Sequence, residues 1–101
     1  MTISGELYSF TDENIDRSPT GIGVYALYGV GELIYIGKAE GQGGIRERLR
    51  AHNRGDEGTC TKGASSYRRE VCSDPSVREV QLLEEYKRGY RKLPRCNERV
   101  G

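Results

Sequence analysis

The chain has 101 residues, 35% hydrophobic and 31% charged, enough for one domain over 1–101 with a small core and a strongly solvated surface, and too few for two. Its longest apolar run is a few residues, far short of the roughly 20 that cross a bilayer, and MTISGELYSF has neither the basic flank nor the apolar stretch of a secretory signal, so a cytoplasmic, intracellular protein with no membrane partner is expected. The net charge of +1 divides unevenly: residues 1–34 carry five acids against Arg17, and residues 35–101 carry fifteen bases against ten acids.

Residues 1–20 are polar and turn-prone, with room for one helical turn at Thr11-Asp12-Glu13-Asn14-Ile15. Two runs of Ile, Val, Leu and Tyr follow, Gly23 to Tyr28 and Leu33 to Gly37, around Gly29-Val30-Gly31-Glu32. Branched and aromatic runs about glycine-containing turn residues predict a β-hairpin, with Tyr25 and Tyr35 directed to a shared face. Residues 39–44 read as a flexible loop. Ile45 to Asn53 reads as a helix with Ile45 and Leu49 as its apolar contacts, and Arg48 and His52, four apart, share one of its faces. Gly55 to Gly63 reads as a loop. Ser66 to Cys72 reads as a third strand, with Tyr67, Arg69 and Val71 on one face and Arg68, Glu70 and Cys72 on the other. Asp74 as N-cap and Pro75 at the first helical position open the last helix, Gly89 is expected to end it, and residues 90–101 to form an irregular tail. Cys60, Cys72 and Cys96 are odd in number and lack paired C-x-x-C spacing, which predicts three free thiols in a reducing compartment and no zinc.

Along the last helix Glu79, Leu82, Leu83, Tyr86 and Tyr90 share one face, which sets a carboxylate on the apolar stripe. A charge there is costly unless it is paired or binds a cation. The residues alone leave open a capping-box partner for Ser76, a salt bridge to an arginine, or a ligand for a hard cation. Tyr25 and Tyr35 read first as core aromatics in a chain with seven Tyr, one Phe and no Trp. Arg48 reads as a solvated helix residue or a bidentate phosphate contact, His52 as a residue favoured by the helix dipole, and Asn97 as part of a tail turn. Bases gather in Arg46, Arg48, Arg50 and Arg54, in Arg68-Arg69, and in Lys87, Arg88, Arg91, Lys92 and Arg95. Such a stripe either binds phosphates or coats ordinary helix faces.

The order Gly23-Val24-Tyr25, Tyr35-Ile36-Gly37, Arg48-x-x-x-His52, Glu79 and Asn97 resembles the GIY-YIG nuclease family over nearly the whole chain. Val24 stands where isoleucine is usual in the first triplet. The interval from His52 to Glu79 is shorter than in many relatives, which implies that a short helix often found there is missing. The resemblance implies an α+β fold with a small three-stranded antiparallel sheet flanked by helices. It also implies a metal-dependent DNA endonuclease that hydrolyses phosphodiester bonds, with Mg²⁺ or Mn²⁺ on Glu79. Tyr25 would take the proton from water, with Tyr35, Lys38 and His52 around that water. Arg48 would hold the non-bridging oxygens, Asn97 would brace the site, and Lys38, Arg46 and Arg50 would contact the DNA. A phenol titrates near pH 10 in isolation, so this role requires adjacent positive charge. One such site per chain means that a double-strand break takes a homodimer or two sequential nicks. No base-reading element is visible. The alternatives are therefore a catalytic module with a separate targeting partner, or a nucleic-acid-binding module that keeps the fold with little cleavage.

Overall fold

The computed structural model describes residues 3–97. In chain order the elements are β1 (Tyr8–Ser9), α1 (Asp12–Asp16), β2 (Gly23–Gly29), β3 (Glu32–Ala39), α2 (Gly44–Arg54), α3 (Thr59–Lys62), β4 (Ser66–Val71) and α4 (Pro75–Tyr90). The architecture is α+β, with one antiparallel sheet in the order β1-β4-β2-β3 and helices on both faces.

Strand β2 lies between β4 and β3, and Val24, Tyr25, Ala26 and Leu27 are all 0% exposed, which is why its sequence is an unbroken apolar run rather than an alternating one. Val24 and Ala26 pack with Ile36 and Leu82 under α4, while Tyr25 and Leu27 pack with Ile15, Ile45, Leu49 and Tyr67 under α1 and α2. Each fully buried aliphatic side chain here contributes roughly 1.5–3 kcal/mol. The hairpin turns through Val30 and Gly31, both at positive φ (54° and 77°), the two-residue geometry whose twist matches that of the strands. Tyr35 then pairs with Leu27 and Leu33 with Tyr28, so Ile34 is an extra residue on β3. This bulge lets Ile34 and Tyr35 both pack on the α2 side.

Four findings depart from the sequence reading. The sheet has four strands, not three: Tyr8 and Ser9 pair with Tyr67 and Ser66, and two residues are too few to leave a periodic signal. Helix α3 occupies part of the stretch expected to be a loop, so the short interval before Glu79 does hold a short helix. Helix α4 continues through Gly89, because Arg91 adopts the left-handed C-cap conformation (φ 64°) and donates its N–H to the Lys87 carbonyl. Cys60 and Cys96 form a disulfide, leaving Cys72 as the free thiol. The bridged residues are 36 apart and meet because α3 and the C-terminal segment pack on the same core, which no spacing rule foretells. Closing a loop of that size removes denatured-state freedom worth on the order of 4 kcal/mol. The bridge also removes the three-thiol ground for inferring a reducing compartment. Among the described residues no helix is long and apolar enough to cross a membrane. Residues 98–101 of the expected tail lie outside the described residues.

Candidate active site

Tyr25 and Tyr35 project from adjacent strands to the α2 side of the sheet, with ring centres 6.1 Å apart. Gly37 makes room for both. It pairs with Tyr25 across the ladder, and a Cβ there would stand 2.6 Å from Tyr25 Oη and 2.7 Å from Tyr35 Cε2. Only glycine fits between two converging phenols, which is the physical reason for the third residue of Tyr35-Ile36-Gly37.

Helix α2 begins where the N–H groups of Ile45 and Arg46 bond the carbonyls of Gly21 and Pro19. Ile45 and Leu49 anchor it to the core, and this sets His52 against both phenols, 5.4 Å from the Tyr25 ring and 4.9 Å from the Tyr35 ring. Tyr25 Oη lies 2.8 Å from His52 Nε2, and His52 Nδ1 lies 2.7 Å from Thr61 Oγ1. A phenol is the better donor to an imidazole lone pair. On that ground we assign Tyr25 as donor to Nε2, which places the His52 proton on Nδ1, donated to Thr61. Burial, and then the Arg48 charge, hold His52 down at about 4, so the ring is neutral at pH 7. Burial, and then Tyr35, push the Tyr25 phenol well above its ordinary range, opposed by the adjacent Arg48. The Tyr35 phenol is also raised, first by burial, with Arg48 acting against it and Glu79 with it. Tyr25 is thus sealed as a neutral proton donor, while Tyr35 is only half-buried.

Arg48 pairs with Glu57 at 3.1 Å, and both side chains stay about a third exposed (35% and 34%). Glu79 approaches from α4 at the β3 edge, where its neighbours are Tyr35, Lys38 and Glu40. Its carboxyl is pushed above the usual carboxylate range by burial, with Lys38 opposing and Glu40 adding. The helix cap is Asp74, which accepts from the Val77 N–H, and Ser76 is engaged by Lys38 Nζ and Glu40, each at 2.9 Å. Glu79 is therefore no capping-box partner of Ser76, and among the described residues neither a hydrogen bond nor an ion pair holds its carboxylate. Such a donor fits a hard divalent ion that shares one carboxylate with waters and a phosphate oxygen. No group of three or more His, Cys, Asp or Glu among the described residues offers a richer ligand set. The stripe expected on α4 is buried only in part: Leu82 is 2% exposed, and Tyr90 is 66% exposed, stacked on Tyr86.

Asn97 bonds both backbone groups of Ile36, Oδ1 accepting from N–H at 2.8 Å and Nδ2 donating to the carbonyl at 2.9 Å. It clamps the free edge of β3 between Tyr35 and Gly37. Arg46 and Arg50 do not join the tyrosine group. They turn to α1, where Arg46 Nε donates to the Ser18 carbonyl and Arg50 pairs with Asp16 at 2.7 Å. Thr61 and Glu57 are the site residues that the sequence did not suggest. Both lie in the Gly55–Gly63 stretch, whose composition carries no signal for their partners. The chain matches no protein-family model, and a search of the curated proteins gives no match.

Proposed function

We propose that this protein is a divalent-metal-dependent DNA endonuclease of the GIY-YIG kind, hydrolysing phosphodiester bonds. The reading is carried by one observation: Tyr25, Tyr35, Arg48 and His52, scattered in sequence, pack into a single group with Glu79 at its edge. Phosphodiester hydrolysis takes a proton acceptor for water, a fixed cation facing the non-bridging oxygens, and relief of charge on the leaving oxygen. Tyr25 can accept a proton only as it passes its own to His52 Nε2. Since Tyr25 is sealed and Tyr35 is not, the path opens to water at Tyr35 and runs inward through Tyr25 to His52. His52 is a weak acceptor partly because Arg48 is charged. A phosphate that engages Arg48 offsets that charge, so the imidazole gains basicity where substrate is bound. The guanidinium grips two non-bridging oxygens in place of Glu57. Glu79 would hold Mg²⁺ or Mn²⁺, which when bound neutralises charge at the leaving oxygen. Asn97 keeps β3, and with it Tyr35 and Gly37, in register.

The test is supercoiled plasmid with purified protein. Nicked circles should appear with Mg²⁺ or Mn²⁺ and not with a chelator, and Tyr25→Phe, which keeps the ring and its packing, should lose roughly 10²–10⁴-fold in rate. Full DNA binding without cleavage under either metal would leave the binding-module reading in its place. Near-normal cleavage by Tyr25→Phe and Tyr35→Phe would make both hydroxyls structural.

A further inference from the structure

Helix α3 has four residues and no side-chain N-cap, with Gly58 before it and Gly63 after it. A helix that short does not hold itself. Besides its packing on α2 and the core, two side-chain bonds tie it to the site: the Thr61 hydroxyl on His52 Nδ1, with Thr61 2% exposed, and the disulfide from the preceding residue, Cys60, to Cys96. Cys96 is 3% exposed in the same core cluster as Tyr25, and its N–H bonds the Ile34 carbonyl at 2.8 Å. The next residue, Asn97, is the clamp on Ile36. The bridge thus joins two residues whose immediate successors orient the site from opposite sides, one through His52 and one through β3.

We infer that Thr61 is a positioning residue of this site and that the Cys60–Cys96 disulfide holds it against His52, so that the state of one S–S bond controls the alignment of the imidazole. A dithiol reductant would supply two electrons and two protons. The S–S bond would break, Cys60 and Cys96 would become thiols, and the reductant would close to its own disulfide. Helix α3 then loses its covalent tether, the Thr61 contact opens, and His52 loses the partner that fixes its proton on Nδ1. With the proton on Nε2 instead, His52 presents an N–H to the Tyr25 oxygen and cannot take the phenolic proton. The catalytic consequence rests on the nuclease reading; the positioning itself does not.

Nitrogen-15 NMR of the His52 ring tests both parts, in a Cys72→Ser background so that no third thiol exchanges. The oxidised protein should show a protected Nδ1–H and an accepting Nε2. Thr61→Val should lose that protection and slow plasmid nicking on the order of 10²-fold, as a small misplacement of a reacting group does, and Thr61→Ser should restore both. Reduction by a dithiol should reproduce the Thr61→Val spectrum and rate, reverse on reoxidation, and add nothing further to Thr61→Val. The inference fails if Thr61→Val leaves the tautomer unchanged, or if the reduced protein keeps a protected Nδ1–H. It also fails if reduction unfolds the whole sheet by amide spectra, since the bridge is then a general staple. Spectra that change as expected in a protein that never nicks DNA support the positioning and overturn the nuclease reading instead.

Discussion

Burial holds the His52 imidazole at about 4, whereas the free side chain titrates near 6.5, and that difference must appear in the stability of the fold. Between those two values the unfolded chain binds a proton that the folded chain refuses. Stability is therefore full above about pH 6.5 and is lost as pH falls toward 4, by an amount on the order of 3 kcal/mol. Denaturant midpoints of the wild type should drop across that window, and those of His52→Gln should drop much less. Equal slopes would mean that some other group carries the acid sensitivity. Glu79 works in the opposite sense. Burial raises its carboxyl above the unfolded value, so its stabilising contribution is complete in acid and is lost as pH rises through the folded pKa. At neutral pH in metal-free buffer, Glu79→Gln should match or exceed the wild type in thermal stability while metal-dependent cleavage disappears and DNA binding persists. A Gln variant that melts earlier yet still cuts with Mg²⁺ would take the metal away from this residue.

Elements written by local chemistry were legible in the sequence, and those that depend on contact between distant segments were not. The hairpin could be read because Ile, Val and Tyr flank a glycine-containing turn, and α4 because Asp74-Pro75 is a start signal on its own. Strand β1 is set by its pairing with β4, and the four-residue α3 by its contacts with α2, His52 and, through the disulfide, Cys96. For the same reason Tyr25, Tyr35, Arg48 and His52 were visible as motif residues, whereas Thr61 and Glu57, which orient His52 and Arg48, were not. The hairpin also contains a local conflict. Val30 is 100% exposed at φ 54°, a left-handed conformation that costs a residue with a Cβ roughly 1–2 kcal/mol. The type I′ turn prefers asparagine at this first position before glycine. Val30→Asn removes the strain and loses no packing, so it should raise stability by about 1 kcal/mol, read as a higher melting temperature with cleavage unaltered. A lower melting temperature would show that the valine makes a contribution this geometry does not reveal.

At the scale of the whole molecule the basic residues of α2 and those at the end of α4 differ in how they are paired. The α2 arginines already have partners: Arg46 the Ser18 carbonyl, Arg48 Glu57, Arg50 Asp16, and Arg54 both Glu47 and Asp56. Of the five acids in residues 1–34, Asp16 is spent in this way, and Asp12 accepts from Asn53. Lys87, Arg88, Arg91 and Lys92, at the end of α4 and just beyond it, are exposed and make no ion pair with the described residues. Free charges release counterions from DNA and paired ones must first break a bond, so the α4 end should dominate backbone affinity while Arg48 serves the reaction. The salt dependence of DNA binding should then be steep, and its logarithmic slope should shrink by about 0.9 for each phosphate contact removed. Neutralising Lys87, Arg88, Arg91 and Lys92 together should cut that slope by roughly 2 to 4. Arg46→Ala with Arg50→Ala should barely change the slope and should lower thermal stability instead. Arg48→Ala should lower cleavage far more than binding, because its charge is needed most in the transition state. If the two arginine changes on α2 flatten the salt dependence and the four on α4 do not, the DNA lies along the α1–α2 side, and the tyrosine group must be approached from there.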